Sequence, residues 1–445
     1  MEKTIAAIST PPGKGAVSMI RVSGETAFQV CDSIFVGKKQ LKDAPPYSMV
    51  YGKIQYDGKV IDQVLCGVFH HPSSFTGEDT VEIYCHGGVR NTQLVLEAAL
   101  HSGARMANRG EFSKRAFLNG KIDLSQAEAV IDLIQSDSAY AVYQSAGQLE
   151  GGISHQLNAL RERLVAANAK ILAVIDFPDE DLEEWEREAF FQELEQVKQE
   201  IVKALKGFQK GRIVKEGLRT LLIGKTNVGK SSLLNLLLKT KKAIVTDIEG
   251  TTRDMIEDQL EIKGLLIRLT DTAGIRESKD QIEQIGVAMT KEMIPQSDLI
   301  LWVLDGSRPF DQNDAEIEDC LQGKKVIYIK NKCDLPSALT VSYPLLPISC
   351  KTGEGLDKLY DAIYQAALEE QPDFQESPFF NNLRHKQCLE RALQNIEDAL
   401  AGRELPLDMI SIDLTDACRN LGEITGLEVS EDTVAHIFAD FCVGK

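Results

Sequence analysis

Gly224-Lys-Thr-Asn-Val-Gly-Lys-Ser231 has the G-x-x-x-x-G-K-S spacing of a phosphate-binding loop. The apolar run at residues 218–223 stands directly before it and a stretch suited to helix directly after it. That strand–loop–helix setting is what gives the motif its meaning. The glycines let backbone N–H groups wrap a phosphate chain, and the helix N-terminus adds positive potential. Lys230 is placed to reach the β- and γ-phosphates, and the Ser231 hydroxyl to ligate Mg²⁺. A second Gly-Lys pair, in Thr10-Pro-Pro-Gly-Lys-Gly15, fails as such a loop. No glycine stands five positions before Gly13, and Gly15-Ala16 follows the lysine.

Working outward, residues 218–370 alternate apolar runs with loops and helical stretches, the runs falling at 218–223, 265–269, 299–304, 326–329 and 345–348. This alternation predicts a buried, mostly parallel, doubly wound sheet with helices on both faces, the fold of a Ras-like P-loop G domain. Three further motifs follow in the order a GTPase requires. Gly250-Thr-Thr-Arg-Asp254 reads as a first switch, with Thr252 as second Mg²⁺ ligand. Asp271-Thr-Ala-Gly274 supplies an aspartate for the Mg²⁺ outer shell and a backbone N–H for the γ-phosphate. Asn331-Lys-Cys-Asp334 supplies base recognition, because the Asp334 carboxylate accepts from two N–H groups on the guanine edge that adenine lacks. Ser349-Cys-Lys351 sits where a backbone N–H can hold guanine O6. The expected GTP contacts are therefore Asn227, Val228, Gly229, Lys230, Ser231 and Ser232 in the loop, and Thr246, Asp247, Ile248, Glu249, Gly250, Thr251 and Thr252 in the switch. Asp271, Thr272, Ala273, Gly274, Asn331, Lys332, Asp334, Ser349, Cys350 and Lys351 complete the set.

Two departures bear on mechanism. Ras-type enzymes place a water-orienting glutamine straight after D-x-x-G; here that position is Ile275, and the motifs offer no arginine finger. Asn227 suggests a substitute: with the loop at 246–251 it can form a monovalent-cation site beside the phosphates, where K⁺ would do the electrostatic work of an arginine. The alternative is that Asn227 only hydrogen-bonds its own loop. Glu283 is the candidate for orienting water and so for a catalytic role beside Lys230, with Glu277 and Asp280 as competitors and a plain surface carboxylate as the other reading.

The rest of the 445-residue chain divides by pattern into residues 1–118, mixed α/β; 119–210, helical; 211–375, the G domain; and 376–445, helical again. β-rich runs recur at 16–22, 48–56, 64–69 and 81–85. Ile153, Leu157, Leu160, Leu164, Ala167, Ile171 and Val174 repeat in steps of four and three, the core-facing stripe of a long helix that Pro178 interrupts. Leu389, Ala392, Ile396 and Ala399 form a second stripe. The economical arrangement is a G domain inserted into a discontinuous helical domain. With a net charge of −18 the chain should not bind nucleic acid over its whole surface, since that takes clustered Lys and Arg. Nine cysteines without a C-x-x-C pair indicate free thiols in a reducing, cytoplasmic setting. His70, His71, His86 and Cys85 match no standard metal spacing. No run approaches the roughly 18 apolar residues of a membrane span, and the first ten residues lack an export signal pattern.

Over essentially its whole length the chain resembles the MnmE (TrmE) family of tRNA-modification GTPases. The resemblance is carried by Thr10-Pro-Pro-Gly-Lys-Gly-Ala-Val-Ser-Met-Ile-Arg-Val-Ser-Gly24, by Ser74-Phe-Thr-Gly-Glu-Asp-Thr-Val-Glu-Ile-Tyr-Cys-His-Gly-Gly88 and by Arg109-Gly-Glu-Phe-Ser-Lys-Arg-Ala-Phe-Leu-Asn-Gly-Lys121. Thr246-Asp-Ile-Glu-Gly-Thr-Thr-Arg-Asp254 and the closing Phe441-Cys-Val-Gly-Lys445 add to it. The G motifs alone would also suit Era-like or Der-like GTPases. The resemblance implies an N-terminal domain, akin to the folate domain of aminomethyltransferases, that forms a homodimer. It implies a bound tetrahydrofolate derivative (5-formyl- or 5,10-methylene-tetrahydrofolate) met by Arg21, Glu82, Lys121 and Lys445. Arg and Lys can grip a folate's glutamate tail and a carboxylate can accept from the pterin amino group; which residue meets which end stays open, as does an ordinary salt bridge for each. It further implies G domains that pair when GTP and K⁺ are bound, with Asn227, Thr246, Ile248 and Thr251 as K⁺ ligands and Glu283 as catalytic glutamate. Glu249 and Thr226 stand where the family uses proline. The implied process is modification of carbon 5 of the wobble uridine of certain tRNAs, with the flavoprotein MnmG (GidA) as partner, FAD on that partner, and tRNA held largely by it.

Cys442 is either a functional thiol or a bystander; a prenylation box is rejected because Gly444 and Lys445 suit it poorly. Two further readings stand beside the first: an Era-like switch for ribosome assembly, and a folate-binding regulator with a vestigial GTPase. The acidic helical sequence after the G domain disfavours the former, and the complete motif set the latter.

Overall fold

The computed structural model describes residues 3–176, 187–240, 257–271, 293–368 and 379–444. Its contacts divide the chain into two compact units, Met1–Ile131 with Cys418–Lys445, and Asp132–Ala417.

The first unit is built on a seven-stranded sheet. Its strands are β1 (Ile5–Ile8), β2 (Val17–Ser23), β3 (Phe35–Gly37), β4 (Ser48–Tyr56), β5 (Lys59–Phe69), β6 (Thr80–His86) and β7 (Arg105–Met106). They run in the order β3-β4-β5-β6-β2-β1-β7, antiparallel except for β1 beside β7. Alternation selects the inner face: Val50 and Ile54 of β4 are buried while Met49 and Tyr51, at the alternate positions, are exposed. Helices Ala27–Ile34 and Val89–His101 cover that face, packing Ala27, Cys31, Val95 and Ala98 onto Ile20, Val64, Cys66, Val81 and Ile83. A second small core joins helices Glu111–Leu118, Leu124–Ile134 and Glu431–Ala439 through Leu124, Ala127, Phe117, Val434, Phe438 and Phe441. The last described residues are stitched to the first. Val443 bridges Arg109, and Ser9 Oγ donates to Gly444 O at 3.0 Å. Gly444 lies at φ 98°, and a Cβ there would sit 2.4 Å from the Ile8 carbonyl oxygen, so only glycine fits.

The second unit begins with helices Ala139–Leu149, Gly152–Asp176 and Arg187–Glu216, and helix Leu383–Ala401 lies along the third. Six of the seven expected stripe residues, Ile153 to Ile171, are buried; Val174 is half-buried near the helix end. Pro178 lies outside the described residues. Leu389, Ala392, Ile396 and Ala399 are all buried.

Helix Arg187–Glu216 runs unbroken to two residues before the second sheet's first strand in sequence. That sheet holds β8 (Leu218–Ile223), β9 (Glu257–Ile262), β10 (Leu265–Asp271), β11 (Leu299–Asp305), β12 (Val326–Asn331) and β13 (Leu346–Pro347). The order is β13-β12-β11-β8-β10-β9, parallel throughout except for the β9–β10 hairpin. Successive residues of β11 serve opposite faces. Leu301 and Val303 join Leu222, Ile267, Leu233 and Ile363 on one side; Ile300, Trp302 and Leu304 join Leu221, Ile223 and Leu321 on the other. With helices Lys230–Thr240, Gln312–Cys320 and Leu356–Ala367, this is the doubly wound layout expected of a G domain.

Candidate nucleotide site

The phosphate loop leaves the carboxyl end of β8, where open parallel sheets hold their ligands. Gly224 (φ 144°) turns against β11: a Cβ would lie 2.3 Å from Val303 O. Gly229 (φ 104°) approaches the base-recognition loop, and a Cβ would lie 2.1 Å from Asn331 Nδ2. Asn227 holds a left-handed φ of 62°, open to a small polar residue. Lys230 opens helix Lys230–Thr240, and its Nζ donates to Gly224 O and Lys225 O at 2.7 Å each. The lysine thus lies across the loop that an incoming phosphate would fill.

Base recognition is wired to this loop. Asn331 is buried; its Nδ2 donates to Val228 O at 2.8 Å while its Oδ1 accepts from the Cys350 amide at 3.2 Å. One side chain therefore ties the phosphate loop to the loop of Ser349, Cys350 and Lys351. Lys332 (φ 63°) donates to Asn227 O at 3.2 Å and to Asp305 Oδ2 at 2.6 Å. Asp334 accepts from Ser349 Oγ at 2.7 Å. That hydrogen bond, helped by the charges of Lys351 and Lys332 and opposed by desolvation, holds its carboxyl below the usual carboxylate range. Asp334 is therefore ionised at neutral pH, the state needed to accept from two guanine N–H groups.

Two anchors escaped the motif search. Asp305 ends β11 almost buried; burial pushes its carboxyl up, but the hydrogen bonds from Lys332 and Ser307 outweigh this and leave it lowered. Its place as the acid ending an all-buried strand beside N-K-x-D was the available signal. Lys225 meets Asp311 and Asp314 at 2.6 Å each, the two acids that form the capping box of helix Gln312–Cys320. Desolvation lowers the Lys225 ammonium, and its two acid partners more than restore it.

Asp271 ends β10 in register with Leu222 of β8, which brings the D-x-x-G motif beside the phosphate loop. Thr246, Asp247, Ile248, Glu249, Gly250, Thr251, Thr252, Thr272, Ala273, Gly274, Ile275, Glu277, Asp280, Glu283 and Lys445 lie outside the described residues.

In the first unit, Arg21 and Glu82 face each other across β2 and β6 and are paired at 2.8 Å. The guanidinium lies 5.3 Å from the Phe75 ring centroid and 5.6 Å from that of Phe112. Tyr84 donates to the other Glu82 oxygen; burial first, and this bond second, push its phenol up to about 12. Lys121 donates to Pro72 O at 3.1 Å, so the loop carrying Phe75 touches both basic residues. Cys442 is exposed. Among the described residues no group of three or more His, Cys, Asp or Glu could hold a metal.

Among the described residues no helix is long and apolar enough to cross a membrane. Residues 4–121 match the family model described as GTP-binding protein TrmE N-terminus, and residues 124–442 match the one described as MnmE helical domain. A tRNA modification GTPase MnmE from Acetivibrio thermocellus is 43% identical over 456 residues, covering 100% of this chain and 99% of that one. Its namesake from Carboxydothermus hydrogenoformans is 42% identical over 461 residues, covering all of both. Among solved structures, Aquifex aeolicus Era bound to GDP.AlF4⁻ shares 29% identity over 40% of this chain and 66% of its own, with a TM-score of 0.27. A phosphate loop tied by Asn331 and Lys332 to the N-K-x-D loop, inside a chain matched end to end by these relatives, leads to one conclusion: the protein belongs to the MnmE family of GTPases.

Proposed function

We propose that this chain hydrolyses GTP with Mg²⁺ and K⁺ to drive modification of carbon 5 of the wobble uridine in certain tRNAs. The observation that carries the GTPase half is the joined pair of loops: Asn331 and Lys332 donate to the carbonyls of Val228 and Asn227, which ties the N-K-x-D loop to the phosphate loop. The tRNA half is supported by the name and the full-length identity of the relatives above. Neither of those two relatives is named for ribosome assembly.

In this reading Ser231 and Thr252 hold Mg²⁺, which supplies charge neutralisation on the β- and γ-phosphates. Lys230 exchanges its two loop carbonyls for phosphate oxygens. Asn227, Thr246, Ile248 and Thr251 hold K⁺, and Glu283 orients the water. Asn227's left-handed backbone, with its carbonyl held by Lys332, fits a loop whose side-chain oxygen is left to meet a cation. The four-part division at 118, 210 and 375, homodimerisation through the N-terminal part and a cytoplasmic setting belong to the same proposal.

The folate reading rests on chemistry the first unit offers. Arg21 stacked between two phenylalanine rings, with Glu82 and Tyr84 beside it, makes a flat, charged and aromatic wall suited to a pterin and its carboxylate tail. Lys121 and Lys445 complete it, and a flavoprotein partner carrying FAD supplies redox chemistry and most of the tRNA contact. Mass spectrometry of tRNA nucleosides from cells lacking the gene tests the whole. Loss of the aminomethyl-type wobble uridine is expected, and unchanged nucleosides would overturn the tRNA assignment.

A further inference from the structure

The tip of the β9–β10 hairpin is a two-residue turn, Lys263-Gly264, with both residues at positive φ (51° and 88°). It does not hang free. The Tyr140 amide donates to Gly264 O at 2.9 Å, and the Tyr140 ring lies so close that a Cβ on Gly264 would sit 2.7 Å from two ring carbons. The Tyr140 hydroxyl meets the Tyr364 hydroxyl at 3.0 Å, and Lys263 closes the group by pairing with Asp361 at 2.6 Å. Tyr140 is buried in the core of the sheet although it comes from helix Ala139–Leu149, far upstream in sequence. Burial, and then the bond to Tyr364, keep its phenol protonated. One helical turn further, on the same face, fully buried Gln144 takes both backbone groups of Phe379: Nε2 donates to its carbonyl at 2.6 Å and Oε1 accepts from its amide at 3.1 Å. The helix is anchored by Ser138, whose hydroxyl accepts from the Ala141 amide.

The hairpin has a particular place in the chain. The first-switch motif precedes β9, and Asp271-Thr-Ala-Gly274 begins at the last residue of β10. Both are motifs that meet the γ-phosphate. β10 runs about 20 Å from this tip to Asp271, paired with β9 on one side and β8 on the other, so the tip and the start of the D-x-x-G motif belong to one strand.

We propose that Tyr140 is a positioning residue for GTP hydrolysis: it fixes the tip of the hairpin whose two strands lead to the phosphate-sensing motifs, and it passes a change of nucleotide state into helix Ala139–Leu149. The inference rests on GTP hydrolysis and not on the tRNA chemistry. A plain core-filling role for Tyr140 would lower stability and nothing else.

The test uses the full-length protein. GTP turnover and GDP affinity are measured, and backbone hydrogen exchange is followed with GDP alone and with GDP plus aluminium fluoride. In the parent protein, exchange in helix Ala139–Leu149 should differ between the two states by about threefold or more. Tyr140→Ala should abolish that difference and lower kcat roughly ten- to a hundredfold, as misplacement remote from the chemistry does, with GDP affinity held within about threefold. Unchanged kcat in the folded variant, or parent exchange that ignores the nucleotide, would overturn the proposal. Should Tyr140→Ala not fold, Tyr140→Phe and Tyr364→Phe each remove one end of the hydroxyl contact. Each should lower kcat by about two- to fivefold and the pair no further, whereas additive losses, or none, would overturn it. A parent protein that fails to hydrolyse GTP would instead refute the GTPase reading itself.

Discussion

At the scale of single residues, two carboxylates are held ionised, one in the candidate site and one in the core of the first unit. Asp334 is held as an anion by Ser349, the state that the proposed contact with the guanine edge needs. Asp334→Asn would present an amide donor to a donor edge, so GTP affinity should fall by at least about a hundredfold in calorimetry without a gain in ATP binding. Glu111 uses the same chemistry for stability. Burial raises its carboxyl, but hydrogen bonds from Arg105, the Asn108 amide and Arg115 outweigh this and bring it from 4.5 to about 2. Its partner Arg115 is itself only 2% exposed and also grips Glu78. Because the folded value is the lower one, this stabilisation is whole above about pH 4.5 and is lost as pH falls towards 2. It amounts to on the order of 3 kcal/mol. Denaturant titrations should show Glu111→Gln less stable at pH 7, with the gap to the parent protein closing below pH 4.

At the scale of elements, the glycines of the phosphate loop are fixed by what they touch. Gly229→Ala would combine a strained φ with a clash onto Asn331, whose amide joins the two recognition loops. GTP binding should be lost in calorimetry while far-ultraviolet circular dichroism, set by the helices and sheets elsewhere, stays near that of the parent protein. The buried strands β8, β10 and β11 were legible in the sequence because both their faces are covered, which writes them as continuous apolar runs, and the half-buried β12 keeps enough of that pattern in Val326–Ile329 to be read. Strand β9 was not, since as an edge strand it buries only Leu260 and Ile262 between charged residues, too sparse a pattern to register. The role of helix Ala139–Leu149 was equally hidden, because the face it buries carries Tyr140, Gln144 and Gln148 where an amphipathic search looks for aliphatic residues. Motif reading singled out Asn331, Lys332 and Asp334, yet passed over Asp305 and Lys225, whose charged partners Lys332, Asp311 and Asp314 are distant in sequence and become neighbours only through the fold.

At the scale of the whole molecule, Ile275 stands where Ras-type enzymes place a water-orienting glutamine and the motifs offer no arginine finger, and the proposed K⁺ would supply the finger's charge. Turnover should therefore be at least about tenfold faster in KCl than in NaCl at equal ionic strength, and Asn227→Ala should erase the difference. Equal rates in the two salts would remove K⁺ from the scheme. The first unit, finally, is assembled from the two far ends of the chain: Val443 bridges Arg109, and Gly444 accepts from Ser9. On the ribosome, residues 3–131 emerge early and must wait, with the surface meant for Val434, Phe438 and Phe441 uncovered, while all of Asp132–Ala417 is translated. A nascent chain stalled before Cys418 should consequently recruit chaperones at its leading segment, and a bulky purification tag fused directly after Lys445 should slow maturation more than the same tag fused before Met1.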